Sequence, residues 1–119
     1  MKKHIKIIAL LFIVIASVVD ASAAGKTRKD SFKVSGNCGM CKANIEGSLK
    51  VNGVEAAMWN PDTKNLQVKY DPAVISLEQI HHLVSAAGYD TDTEKADSAA
   101  YTQLEKCCQY RGKNKCDHD

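Results

Sequence analysis

Two patterns of hydrophobic and polar positions predict the first strand and the first helix. Residues 31–36 alternate around the apolar side chains Phe32 and Val34, which is typical of a strand with one buried face. From Cys41 to Leu49 the apolar residues recur every four positions, which predicts an amphipathic helix. The change of period falls directly after a glycine-containing turn, so we expect the strand to lead straight into the helix.

A hairpin, a second helix and a weak fourth strand follow. Residues 54–60 and 66–70 are predicted strands, and the connector 61–65 consists of residues that favour turns. Residues 77–87 carry a helical stripe of apolar side chains, and 89–93 alternate weakly. The order βαββαβ predicts an α+β, ferredoxin-like sandwich. Its four-stranded antiparallel sheet would carry both helices on one face.

The ends of the chain differ in composition from this domain. Residues 1–23 join a basic start to a mainly apolar run of thirteen residues, 7–19, and a small-residue cleavage site, so we interpret them as a cleaved signal peptide. An uncleaved N-terminal anchor is the alternative. We predict a flexible leader at 24–30, the domain at 31–93 and a Cys-rich C-terminal extension at 94–119. Such a chain is expected to be periplasmic or secreted, without a membrane span in its mature form.

Charge and composition exclude some function classes. Without residues 1–23 the chain has 13 basic and 13 acidic side chains, so it lacks the positive excess that nucleic-acid binding usually needs. No Ser-His-Asp spacing and no glycine-rich phosphate loop stands out. We therefore expect a non-enzymatic protein whose partners are metal ions and other proteins.

The motif Cys38-x-x-Cys41 carries the most specific chemistry. At a strand-to-helix turn both sulfurs can face one small volume, and a helix N-terminus stabilises the thiolate form. Two thiolates suit a soft ion, with Cu(I) first and Hg(II) as an alternative. They also suit thiol–disulfide exchange, and a simple Cys38–Cys41 disulfide is the plain alternative for an exported protein.

The extension adds further soft ligands within a short stretch, and residues 101–110 favour a short helix. The candidates for additional metal ligands are Cys107, Cys108, Cys116 and His118. Zn(II) prefers four ligands, so a Zn(II) site would need two of these beside the motif cysteines. A disulfide to Cys116, or loose thiols, are the alternatives.

Residues 31–93 resemble the heavy-metal-associated (HMA) domain family. That family includes small copper chaperones, the periplasmic mercuric-ion binding protein and the N-terminal domains of copper-transporting P-type ATPases. The segments that match the family pattern are the Cys38-x-x-Cys41 loop, Ile45-Glu46 with Leu49, Gly53-Val54, Tyr70-Asp71-Pro72, Ile80 and Gly88-Tyr89. The resemblance implies a ferredoxin-like fold and metal binding at Cys38 and Cys41.

The loop departs from the family at one position. Members commonly have a Met two residues before the first Cys, where this chain has Gly36, and here Met40 lies between the cysteines. We expect Met40 to turn inward as a substitute anchor. The alternative is that its thioether lies near the metal as a weak ligand. The family's pattern further implies that Tyr89 covers the dithiol, with a core-edge aromatic as the alternative.

These observations together indicate an exported metallochaperone for a soft ion, most simply Cu(I), that hands the ion on by thiolate exchange. Its expected partner is a metal-transporting ATPase or another envelope metalloprotein, and a metal-bridged dimer is a further alternative. Mercuric-ion scavenging is the second hypothesis. A thiol–disulfide oxidoreductase is the third and belongs to a different class.

Overall fold

The computed structural model describes residues 26–112. The predicted signal peptide, Cys116 and His118 lie outside the described residues. The elements, in chain order, are β1 (Arg28–Lys33), α1 (Gly39–Ser48), β2 (Val54–Trp59), β3 (Asn65–Tyr70), α2 (Leu77–Ala86), α3 (Ser98–Gln103) and a 3-10 turn (Lys106–Cys108). β1 begins three residues before its predicted start. Within the described residues, the helices lack the length and apolar character needed to cross a bilayer.

The sheet is antiparallel with β3 in the centre, in the order β1-β3-β2. Leu66 on β3 pairs with Phe32 on β1 and with Trp59 on β2, so these three side chains lie on the same buried face. One face of the sheet and the apolar stripes of α1 and α2 form a single core. The most enclosed members of that core from the two helices are Cys41, Ile45, Ile80 and Val84.

The predicted fourth strand at 89–93 is reduced to a single bridge between Val34 and Thr91. A hydroxyl-centred turn replaces it, because Thr91 Oγ1 accepts hydrogen bonds from the backbone N–H groups of Thr93 (3.3 Å) and Glu94 (3.1 Å). The backbone N–H of Lys33, which a fourth strand would have satisfied, instead donates to Asp92 Oδ2 at 3.0 Å. The described sheet therefore has three strands rather than the predicted four.

The end of α2 determines the direction in which the chain continues towards α3. Ser76 and Gln79 form a capping box at its start. Gly88 follows the helix with φ of +106°, a conformation that other residues rarely adopt. A Cβ at Gly88 would lie 3.2 Å from the backbone of Ala100. The glycine thus turns the chain and lets α3 pack closely against it.

The residues after the domain fold back onto it. The predicted helix at 101–110 is divided, because Leu104 is extended (φ −63°, ψ 148°) between α3 and the 3-10 turn. We call residues 98–112 the C-terminal arm. Its side chains Leu104, Cys107 and Tyr110 pack against the core, and Cys108 belongs to the core itself. The extension is therefore packed against the domain over its described part.

Candidate metal centre

The two motif cysteines lie at the start of α1. Cys38 is the N-cap residue, and its carbonyl accepts the backbone N–H of Lys42 at 3.0 Å. Cys41 follows in the first turn of the helix. Cys38 is 5% exposed and Cys41 is not exposed at all. The unpaired N–H groups of the first helical turn therefore lie beside both cysteines, as the sequence predicted.

A tryptophan anchors this loop, and the prediction that Met40 does so was wrong. Met40 is 42% exposed, whereas Trp59 is 1% exposed. A Cβ at Gly36 would lie 2.9 Å from the Trp59 ring, so the indole fills the space beside that glycine. Trp59 Nε1 also donates to the carbonyl of Val34 at 3.0 Å. The indole therefore braces the strand that leads into the loop, and Met40 stays at the surface.

Lys42 is directed away from the sulfurs. Its ammonium group pairs with Glu46, one helical turn later, and donates to the carbonyl of Trp59 at 2.9 Å. Glu46 Oε2 in turn accepts the backbone N–H of Trp59 at 2.9 Å. Burial by itself raises the pKa of Glu46, but the hydrogen bonds from Lys42 and Trp59 outweigh it and lower that pKa. This pair fixes β2 against α1 rather than neutralising a thiolate.

The arm brings a third sulfur to the loop. The Sγ atoms of Cys38, Cys41 and Cys108 all lie within 4.8 Å of one another, and all three residues are buried. Cys107 Sγ lies 4.0 Å from Cys108 Sγ and 3.8 Å from the sulfur of Met40, but it is outside this group of three. Of the tail candidates within the described residues, the structure therefore brings Cys108 to the motif.

Tyr89 lies close to two of the sulfurs, since its phenol interacts with Cys41 and Cys108. It is fully buried, and Asn44 Nδ2 donates to its hydroxyl oxygen at 3.0 Å. Burial is the main cause that raises the pKa of Tyr89 above its usual value, and interactions with Cys41 and Cys108 raise it further. Burial also raises the pKa of Cys108 to about 12, with contributions from Cys41 and Cys107. Both effects favour the neutral thiol form of Cys108.

The bonding of the cysteines excludes one of the disulfides considered from the sequence, the one between Cys38 and Cys41. Cys41 and Cys108 are free thiols, whereas Cys38 is disulfide-bonded. A Cys38–Cys41 disulfide, the plain alternative for the motif, is therefore absent from this structure. Metal binding by all three sulfurs requires Cys38 to be reduced first, since the thiolate is the ligand form.

Sequence patterns did not identify the residues that hold the arm in place. Tyr110 donates its hydroxyl to the carbonyl of Gly88 at 3.1 Å and accepts the N–H of Asp90 at 2.8 Å. Arg111 Nη2 lies 2.7 Å from Asp90 Oδ1. Asn37 Nδ2 donates to the carbonyl of Cys107 at 3.0 Å. A tyrosine next to an arginine near the end of a chain is a weak signal that becomes specific only through these contacts.

Comparison with known proteins agrees with the family resemblance found in the sequence. The sequence model of the heavy-metal-associated domain matches residues 31–90. The copper chaperone CopZ of Staphylococcus haemolyticus is 34% identical over 55 residues, which cover 45% of this chain and 81% of that protein. The crystal structure of oxidized MerP from Ralstonia metallidurans CH34 is similar with a TM-score of 0.53 and 25% identity. That match covers 56% of this chain and 96% of MerP.

A larger relative shares only this domain. The cation-transporting ATPase HMA5 of Oryza sativa subsp. japonica is 32% identical over 76 residues, which are 62% of this chain. The match spans only 8% of the ATPase. The similarity therefore concerns one module of that protein and not the rest of it.

Proposed function

Because this chain belongs to the heavy-metal-associated domain family, we propose that it is an exported, non-enzymatic carrier of a soft metal ion. Its proposed cargo is Cu(I), held between Cys38 and Cys41. Export is supported by the basic start, apolar run and small residues of 1–23. Edman or mass-spectrometric determination of the N-terminus of the exported protein tests this part. An N-terminus at residue 1 would contradict it.

The observation that carries the proposal is the buried group of cysteine sulfurs around the first turn of α1. The group consists of sulfur atoms alone, and sulfur ligands select soft ions over Mg²⁺ or Ca²⁺. Lys42, which follows the motif directly in the chain, is engaged by Glu46 and the carbonyl of Trp59, so its charge is paired without a thiolate. A cuprous ion bound here would displace the thiol protons to solvent.

Hand-over by ligand exchange follows from this arrangement. Each thiolate of the motif is replaced in turn by a cysteine thiolate of the partner, so the ion is never released as a free species. The proposed partner is a metal-transporting ATPase or another envelope metalloprotein. The similarity to CopZ and to one module of a cation-transporting ATPase supports this choice.

Native mass spectrometry of the reduced protein, titrated with Cu(I) without oxygen and with Zn(II) in parallel, tests the proposal. We expect one tightly held Cu(I) per chain, which the Cys38→Ser/Cys41→Ser double variant loses. The double variant Ser35→Ala/Ser48→Ala is a matched control that leaves both thiols in place. If the cysteine variant keeps the wild-type affinity for Cu(I), or if the wild type binds none tightly, the proposal is wrong.

Mercuric-ion scavenging is the second candidate, because the all-sulfur group also suits Hg(II). Competition between the two ions for the reduced protein distinguishes the candidates. Two results together would make mercury scavenging the proposed function in place of copper transport. The protein would retain Hg(II) at cellular Cu(I) concentrations, and cells that produce a variant without the motif would lose mercury resistance. Metal-free reduction of insulin by the wild type would instead favour the oxidoreductase hypothesis.

A further inference from the structure

We propose that Cys108 is the third ligand of a three-thiolate site, and that the C-terminal arm retains the metal ion until a partner displaces it. This inference rests on the proposed metal-carrier function and adds the regulation of the same site. It assigns a role to a cysteine outside the Cys38-x-x-Cys41 motif. It also gives the described part of the extension a function in metal release.

The distances between the sulfurs fit such a site. Three thiolates about 2.3 Å from a central ion in one plane lie about 4.0 Å apart. The Sγ atoms of Cys38, Cys41 and Cys108 lie within 4.8 Å of one another before any ion is bound. Once Cys38 is reduced, a contraction of less than an ångström closes the group around one ion. No carboxylate or imidazole belongs to this group of described residues, so the donor set suits a soft ion.

Specific contacts hold the third sulfur in position. The Tyr110 hydroxyl binds both the carbonyl of Gly88 and the N–H of Asp90, and the ring of Tyr110 stacks on that of Tyr89, with centroids 5.9 Å apart. Arg111 adds an ion pair to Asp90. These contacts follow Cys108 by two and three residues along the chain. The arm is thus fastened directly beyond the cysteine that it delivers.

A second fastening lies on the other side of Cys108. The side chain of Asn37, the residue before the motif, donates to the carbonyl of Cys107 at 3.0 Å. The metal loop itself therefore holds the 3-10 turn. This turn places its two neighbouring cysteines differently. Cys107 remains half-buried, whereas Cys108 is completely enclosed.

Tyr89 provides a hydrogen-bond donor for the negative charge of the site. An external dithiol must first reduce the Cys38 disulfide and is itself oxidised to a disulfide. Binding of Cu(I) by the three thiols then releases three protons to solvent, moves no further electron and leaves two net negative charges on the complex. Asn44 Nδ2 donates to the Tyr89 oxygen, so the phenolic proton is available for the Cys108 sulfur, with which Tyr89 interacts. The N–H groups at the start of α1 supply further donors. The site thus has donors for this charge without a buried cation.

Three-thiolate binding changes how the ion leaves. In thiolate exchange, the incoming cysteine of a partner forms a three-sulfur intermediate with the two motif cysteines. Here Cys108 already occupies the third position, so the partner must displace it before exchange can proceed. We therefore expect the arm to slow release and to raise affinity. Release becomes fast only when the arm is detached from Tyr89 and Asp90.

X-ray absorption spectroscopy of the reduced, Cu(I)-loaded full chain tests the coordination directly. We expect three sulfur neighbours in the wild type and two in the Cys108→Ser variant. Transfer of Cu(I) to a chromophoric chelator, followed by stopped flow, should be at least about tenfold faster for Cys108→Ser, since losing even a supporting residue of a metal site commonly costs 10- to 100-fold. Cys107→Ser is the matched control, and we expect it to retain three sulfurs and slow transfer.

The outcomes separate this inference from the proposed function. Two sulfurs in the wild type, with unchanged transfer in Cys108→Ser, would overturn the third-ligand proposal and leave the carrier function intact. Absence of tight Cu(I) binding to the wild type would overturn both. If Cys108→Ser does not fold, the wild-type spectrum still decides, and Tyr110→Phe tests the arm with all cysteines present. We expect faster transfer from Tyr110→Phe, and an unchanged rate would contradict retention by the arm.

Discussion

The domain and the C-terminal arm are held together by different forces. The domain buries a continuous set of apolar side chains from β1, β3, α1 and α2. Of the arm's fifteen residues, 98–112, Cys108 alone is buried. The rest of the arm is attached by the Tyr110 and Asn37 hydrogen bonds, by the Arg111–Asp90 ion pair and by side chains that pack only partly against the core.

This difference indicates that the two regions open with different free energies. Apolar burial contributes the largest share of folding stability, whereas a few hydrogen bonds and a partly exposed ion pair contribute little each. Segments with few buried apolar contacts open locally without global unfolding. We expect the arm to detach while the domain stays folded, as a gate for metal release requires.

The largest expected effect is a loss of domain stability in Trp59→Ala. The substitution removes a 1% exposed indole and its hydrogen bond to Val34. We expect the free energy of unfolding to fall by about 3–5 kcal/mol, measured by urea denaturation of the reduced, metal-free protein. Met58→Ala is the matched control on the same strand, because Met58 is 64% exposed. It should cost less than about 0.5 kcal/mol, and equal losses in both variants would contradict the role of Trp59.

A smaller effect, confined to the arm, is expected from Tyr110→Phe. The variant leaves the backbone N–H of Asp90 without its hydroxyl acceptor and removes the donor to Gly88. The cost is about 1 kcal/mol. Hydrogen exchange should speed up at the amide of Cys108, which donates to the carbonyl of Glu105. The amide of Ile80 in α2 should keep its wild-type protection, and equal acceleration at both amides would contradict separate opening.

The smallest effect is a pH dependence of arm docking through Asp90. Burial alone raises the pKa of Asp90, but the Arg111 guanidinium and the N–H of Ala96 outweigh it, so the pKa lies below its ordinary value of 3.8. A lowered carboxyl pKa contributes stability that is fully present above the ordinary value and is lost as the pH falls through the lowered one. Arm protection should therefore decline below about pH 4, by roughly 0.2–1 kcal/mol for this partly exposed pair.

Hydrogen exchange at the Cys108 amide between pH 3 and 6, corrected for intrinsic rates, measures this decline. Arg111→Gln is the matched variant, since it retains an amide but removes the charge. We expect the variant to show weaker protection at pH 6 and a smaller change with pH. A wild-type arm whose protection is independent of pH in this range would show that the Asp90 ion pair does not contribute to docking.

The predicted elements show which local patterns are reliable. The helical periods around Ile45 and Ile80 predicted α1 and α2 correctly, since an apolar stripe has to face a core. The prediction of a fourth strand was wrong because the hydroxyl of Thr91 and the carboxylate of Asp92 bind backbone groups that a strand would have paired. Short polar side chains compete with the ladder locally, and alternation alone does not reveal it.

In the candidate site, too, local features were predicted correctly and contacts between distant residues were not. The position of Cys38 and Cys41 at the start of a helix was predicted from their spacing and the change of period. The loop anchor was predicted as Met40, but Trp59 fills that space, because β2 approaches the loop from a distant part of the sequence. Cys108 was one of four tail candidates, and nothing in its local pattern distinguished it from Cys107.

The sequence by itself determined the helices α1 and α2, the hairpin and the thiol chemistry of the loop, because each depends on residues close together in the chain. Only the tertiary structure decided that Cys108 joins Cys38 and Cys41 and that Tyr89 interacts with Cys108. Those placements depend on where the chain turns at Gly88 and on the contacts that fasten the arm. They join residues up to 70 positions apart, such as Asn37 and Cys107, and no local periodicity encodes such a contact.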